Sequence, residues 1–265
     1  MSAQVVTVTS GKGGVGKTTA VANIATALAA AGQKVVCIDA DIGLRNLDVV
    51  MGLENRIVYD LVDIIEGRCR LRQAMIRDRH FQELYLIPAA QTRDKSAVSP
   101  SDMIDLCDEL RADFDWVLID SPAGIERGFR NAIAPADRIL LVTNAEVSAV
   151  RDADRVIGLL EAEEKSTPSL IINRLKPDLI KQHEMLSPED VLDLLAVPLL
   201  GIVPEDEAVI VATNRGLPVV LDERSRAGRA FRNIALRLMG KEVPDENWDM
   251  SETFWSRLWP WKGRR

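Results

Sequence analysis

Between an apolar run, Val5 to Val8, and an alanine-rich helical pattern, Lys17 to Ala30, lies the stretch Gly11-Lys12-Gly13-Gly14-Val15-Gly16, and the helix opens on Lys17-Thr18. Few folds accept that order. A strand, a glycine loop, a helix broken by Gly32 and a second strand from Val35 to Ile38 make one βαβ unit, whose short crossover favours parallel pairing. The eight residues Gly11 to Thr18 also fit the pattern G-x-x-x-x-G-K-[ST], in the strand-to-helix context that a phosphate-binding loop requires. Glycines let successive backbone N–H groups turn inward as a cradle for phosphate oxygens, and the helix N-terminus adds unpaired donors.

Further apolar runs recur along the chain at Leu84 to Ile87, Trp116 to Ile119, Ile139 to Val142, Leu170 to Ile172 and Leu199 to Val203. Their near-continuous apolar character predicts strands covered on both faces. Helical patterns separate them: Ser101 to Arg111 behind Pro100, Val147 to Glu164, a helix opened by Ser187-Pro188-Glu189-Asp190, and Ser225 to Met239 ended by Gly240. The expected architecture is α/β: one doubly wound, mostly parallel sheet of at least seven strands over residues 1–240, with helices on both faces. These patterns leave the strand order open.

Composition narrows the class. Apolar residues at 47% and charged residues at 28% exclude a disordered chain. No run of 18 apolar residues is present, so no membrane-spanning helix is expected. The first strand begins without a basic leader, which predicts a protein of the reducing cytoplasm. Cys37, Cys69 and Cys107 are too few and too scattered for a disulfide framework or a cysteine metal site. Cys37 and Cys107 fall on core-facing positions, Cys69 reads as a partly buried bystander, and His80 and His183 read as surface residues.

Lys17 is placed to reach the β and γ phosphates, the Thr18 hydroxyl to complete a magnesium site, and Thr19 to donate near the α phosphate. Asp120 closes the apolar run Trp116 to Ile119, at the strand end where doubly wound sheets bind ligands, and is the candidate to act on magnesium directly or through a bound water. Asp39 and Asp41 follow the second strand, and either could orient water or magnesium. Asp120-Ser121-Pro122-Ala123-Gly124 joins a metal candidate to a glycine and forms a candidate switch.

An ordinary phosphate loop needs no second lysine at Lys12. With it, KGGVGKTT resembles the deviant Walker A box of the MinD/ParA group of P-loop ATPases. Asp39 to Asp48 (DADIGLRNLD), Pro88 to Lys95 (PAAQTRDK), Asp120 to Glu126 (DSPAGIE), Glu146 to Arg155 (EVSAVRDADR) and Gly201 to Glu207 (GIVPEDE) belong to the same pattern. The resemblance implies a fold of the SIMIBI P-loop NTPase type and an ATPase that uses ATP and Mg2+ and dimerises face to face around two nucleotides. It implies a nucleotide site built from Gly11, Lys12, Gly13, Gly14, Val15, Gly16, Lys17, Thr18 and Thr19. Asn173 and Arg174 would lie on the adenine side, with Pro204 and Glu205 nearby. Lys12 would cross to the partner's phosphates, Asp41 would be the water-positioning switch residue, and Thr18, Asp39 and Asp120 would serve the metal. Asp152 would lie in the partner-binding region. The implied role is a switch that helps place the division site by recruiting a MinC-type septum inhibitor, and that a MinE-type or other topological regulator releases.

The C-terminus changes character after Gly240. Residues 241–253 carry five acids against one lysine and read as a tether, whereas residues 254–265 carry four basic residues, no acid and three tryptophans. Phe254, Trp255, Leu258 and Trp259 share one face of a helix capped by Ser251, and Pro260 leaves Trp261 and Lys262 in an aromatic, basic end. Burial of one such large side chain contributes roughly 1.5–3 kcal/mol. Together with the cations, this predicts a peripheral anchor on anionic lipid, and the family resemblance implies that the surface is the cytoplasmic face of the inner membrane.

Two other readings compete. A DNA-segregation ATPase of the ParA type needs a basic surface. The net charge is −7, and omitting the tail's four basic residues takes it to −11, so no specific nucleic acid is expected. An iron–sulfur reductase component of the same fold would need cysteines beside the switch, and Asp120 to Glu126 contains none.

Overall fold

A computed structural model describes residues 3–94 and 97–243 of the chain. Lys95, the tether from residue 244 onward and the tail residues Phe254, Trp255, Leu258, Trp259, Trp261 and Lys262 lie outside the described residues. The strands are β1 (Gln4–Thr9), β2 (Val35–Asp39), β3 (Ile76–Arg77), β4 (Leu84–Ile87), β5 (Trp116–Asp120), β6 (Arg138–Asn144), β7 (Ser169–Leu175) and β8 (Leu199–Pro204). The helices are α1 (Lys17–Ala30), α2 (Leu47–Val50), α3 (Leu61–Ile65), α4 (Leu71–Ala74), α5 (Pro100–Leu110), α6 (Arg127–Ile133), α7 (Val147–Ala162), α8 (Pro177–Lys181), α9 (Pro188–Leu195), α10 (Glu207–Asn214) and α11 (Arg226–Leu238).

The strands form one sheet in the order β3-β4-β2-β5-β1-β6-β7-β8. Every neighbouring pair is parallel except β3 with β4. The seven expected strands are all present. The eighth, β3, is a two-residue edge strand, too short to leave a period in the sequence. Side chains alternate between two cores, as the two-residue repeat of a strand requires. Val6, Val8, Cys37, Leu118 and Leu140 face a layer containing α1 and α11, whereas Val36, Ile38, Val117 and Ile119 face α5, and Ile139, Leu141 and Ile172 face α6, α7 and α9. Cys37 and Cys107 are buried in these cores, and His80 and His183 are exposed.

Two helix boundaries differ from the sequence reading. The cap of α5 is Ser99, not Ser101. Ser99 Oγ accepts from the Asp102 N–H at 3.3 Å, Asp102 Oδ2 accepts from the Ser99 N–H at 2.8 Å, and Pro100 sits at the first helical position. The reciprocal box needs an acid three residues on, which Ser99 has in Asp102. Helix α7 stops at Ala162 because Glu164 turns left-handed at φ +53°, and the Lys165 N–H closes back on the Leu160 carbonyl at 2.9 Å. Ser187 caps α9 as expected, and Ser225, the first residue of the expected last helix, is the cap of α11.

The corrected cap can be tested by mutation. Ser99→Ala is expected to lower the unfolding free energy by about 1 kcal/mol. Ser101→Ala is expected to change it by less than about 0.5 kcal/mol. Urea denaturation of the two variants beside the parent measures both.

Candidate functional site

Parallel strands carry their C-terminal ends to one edge of the sheet, and β1, β2 and β5 are adjacent there. Asp39 and Asp120 occupy paired register positions at the ends of β2 and β5. Both are buried, at 1% and 2% exposure, which holds two carboxylates side by side out of water. Burial, with Asp39 as the next cause, pushes the Asp120 carboxyl well above the ordinary carboxylate range. Burial also raises Asp39, although three backbone N–H groups oppose the shift. Lys17, the first residue of α1, is buried at 8% exposure. Burial lowers its pKa, and the attraction of Asp120 and Asp41 works against that.

The two carboxylates differ in how their oxygens are used. Asp39 Oδ1 accepts from the Asp41 N–H at 3.0 Å, and Oδ2 accepts from the Asn46 and Leu47 N–H groups, both at 3.2 Å. Asp39 thus holds the loop that carries Asp41. Asp120 accepts from the Thr18 hydroxyl, and its Oδ1 is buried with no hydrogen-bond partner. An orphaned carboxylate oxygen beside a threonine hydroxyl and a lysine is an oxygen-donor set that suits a small divalent cation.

The phosphate loop is fixed by its neighbours. Asn173 Nδ2 donates to the Val15 carbonyl at 2.7 Å. Gly16 sits at φ +100°, and a Cβ there would lie 2.3 Å from Asn173 Nδ2, so only glycine fits. A Cβ on Gly11 would lie 2.1 Å from the Asp152 carbonyl oxygen, so the loop rests directly on the backbone of α7. Lys12 extends to the start of α7. Its Nζ lies 3.4 Å from Ser148 Oγ and 3.6 Å from Glu146 Oε2, both at the start of α7.

Asn173 and Arg174 form a bulge in β7, where the register to β8 slips between Ile172 and Leu175 and Arg174 takes φ +55°. Pro204 pairs with Leu175, and the Glu205 N–H donates to the Leu175 carbonyl at 2.9 Å. The structure therefore gathers residues 11–19, Asp39, Asp41, Asp120, Asn173 and Asp152 around the loop, and places Arg174, Pro204 and Glu205 at the strand ends to one side of it. Sequence reasoning assigned no role to Ser148 and Glu146, which face Lys12, or to Asp206, which follows Glu205. For Asp206 the available signal was a cap residue ahead of the helix that starts at Glu207.

A glycine loop between β1 and α1, with buried acids on the adjacent strand ends, defines a P-loop ATPase of the SIMIBI type. The CobQ/CobB/MinD/ParA nucleotide binding domain matches residues 6–219. The septum site-determining protein MinD of Synechocystis is 54% identical over 242 residues, 91% of each chain. A chain of the MinC:MinD cell division protein complex of Aquifex aeolicus superposes with a TM-score of 0.86 at 48% identity, covering 92% of this chain and 99% of that one. The MinD of Pyrococcus horikoshii, solved with Mg-ADP, gives 0.81 at 30% identity, covering 89% and 96%. The chain belongs to the MinD/ParA family, within its group of MinD cell-division ATPases.

The buried acids set a pH dependence. A carboxyl raised on folding is protonated more readily in the folded than in the unfolded protein, so ligand-free stability falls as pH rises above the ordinary carboxylate range. Asp120→Asn removes that penalty. The variant is expected to match the parent near about pH 4 and to exceed it by about 1–3 kcal/mol near about pH 8. Thermal melts at both pH values check this.

Proposed function

We propose that this protein is a membrane-associated switch that dimerises on ATP, recruits a MinC-type septum inhibitor, and is returned to the monomer when a MinE-type or other regulator stimulates hydrolysis. The observation that carries this reading is the placement of the two lysines. Lys17 is buried at the start of α1, whereas Lys12 is held by Ser148 and Glu146 with 44% of its side chain exposed. A second, half-exposed cation beside the loop is suited to serve a neighbour's phosphates, and charge delivered in trans makes turnover conditional on pairing.

In this reading the N–H groups of residues 11–16 cradle the phosphates and Lys17 balances their charge. Thr18 and Asp120 would hold magnesium, and Asp39 would keep the Asp41 loop in place behind them. When bound, the metal neutralises negative charge that develops on the phosphoryl oxygens. Asp41, carried on a loop anchored by Asp39, would orient the attacking water. Asp152 lies where the phosphate loop meets α7, which suits a partner site that senses the nucleotide. Residues 241–253 would form the tether and residues 254–265 the anchor, a weak contact that two copies in one dimer strengthen. Among the described residues no helix is long and apolar enough to cross a membrane.

The alternative of a ParA-type DNA-segregation ATPase starts from the same family match. Sedimentation with anionic liposomes in ATP and in ADP, combined with phosphate release, separates the two. The proposal expects ATP-dependent cosedimentation, and an ATP-dependent DNA affinity exceeding that for liposomes would reverse the ranking.

Two variants probe the parts. Lys12→Ala is expected to retain nucleotide binding but to lose the ATP-dependent dimer in light scattering. Its stimulated phosphate release should fall at least about tenfold. Deletion of residues 254–265 is expected to leave the melting temperature unchanged while liposome cosedimentation disappears.

A further inference from the structure

Strand β8 ends at Pro204, and two residues later Asp206 joins three pieces of backbone. Its Oδ1 accepts from the Ala208 N–H at 3.0 Å, which caps α10. Its Oδ2 accepts from the Ser225 hydroxyl at 2.7 Å and from the Ala227 N–H at 3.2 Å, both at the start of α11. Ser225 Oγ in turn accepts from the Gly228 N–H at 2.9 Å, and Ser225 is 3% exposed. One carboxylate thus fastens the turn Pro204-Glu205 to the N-terminus of a helix that packs along both α1 and β8.

The sheet order says which end of a nucleotide lies there. The buried acids Asp39 and Asp120 sit on β2 and β5, on one side of β1. The charged, metal-linked end of a nucleotide seated in the loop belongs on that side. Its other end would then run the opposite way, over β6 and β7 toward β8. At roughly 4.8 Å per strand, β8 lies about 14 Å from β1. In that placement the base would meet the Asn173–Arg174 bulge and the Pro204-Glu205 turn.

We propose that Asp206 is a positioning residue for the base of the bound nucleotide, acting through the Pro204-Glu205 turn that its bonds to Ser225 and Ala227 hold in place. The inference rests on the ATP-binding reading above. Asp206 touches no phosphate-loop residue in the hydrogen bonds of this corner, so its effect should be confined to the nucleoside. A charged acceptor sharing several donors makes the stronger class of hydrogen bond, so its loss should be measurable.

Asp206→Asn keeps one carbonyl oxygen to cap Ala208 and turns an amide –NH2 toward the Ala227 N–H. Ser225→Ala removes the hydroxyl donor, and Ser225→Thr restores it. Calorimetric titration of the full chain with Mg-ADP and, separately, with magnesium pyrophosphate reads the base against the phosphates. Asp206→Asn is expected to weaken ADP about tenfold and Ser225→Ala about fivefold, with pyrophosphate held within about twofold and Ser225→Thr near the parent. ADP affinity unchanged in both variants overturns the proposal, and so does an equal loss for ADP and pyrophosphate. If Asp206→Asn does not fold, as judged by its melt, the Ser225 pair decides on the same criteria. A parent protein that binds neither ligand would instead overturn the ATP-binding reading.

Discussion

Two carboxylates and one ammonium share a dry corner at the end of β1, β2 and β5, and the rest of the site is arranged around that imbalance. Asp39 and Asp120 are held side by side by strand register, so neither can move off without breaking the sheet. Lys17 offsets only part of their charge, and burial works against all three ionised forms at once. Such a corner is costly to a folded protein, and a ligand that brought positive charge to Asp120 would stabilise it.

The phosphate loop, seven of the eight strands and the two-sided helix cover were legible in the sequence because each leaves a local signal. Glycine spacing, apolar runs and serine–proline caps all act within a few residues. The remainder depends on contacts between segments far apart in the chain. Strand order is set by which crossovers pack, and no local pattern records it. Ser99 and Ser101 offer the same chemistry two residues apart, and what separates them is the residue three positions on, Asp102 for Ser99 and Ile104 for Ser101.

The site shows the same division. Lys17 and Thr18 follow from one motif, and Asp120 from its place at a strand end. The different roles of Asp39 and Asp120 could not be told apart in sequence, since both end an apolar strand. Folding alone distinguishes them: the loop after β2 doubles back to give Asp39 three N–H donors, whereas the chain after β5 leaves one Asp120 oxygen without any. Asp206 was overlooked because its partners, Ser225 and Ala227, lie about twenty residues downstream.

The bond from Asn173 to the Val15 carbonyl carries a further implication. In a planar trans peptide the carbonyl and the following N–H point in opposite directions. Pinning the Val15 oxygen on the β7 side therefore aims the Gly16 N–H to the far side, away from Asn173. The donor is oriented by the fold before any anion arrives, so capture requires no conformational search, and the entropy of ordering that segment is already spent when the chain folds.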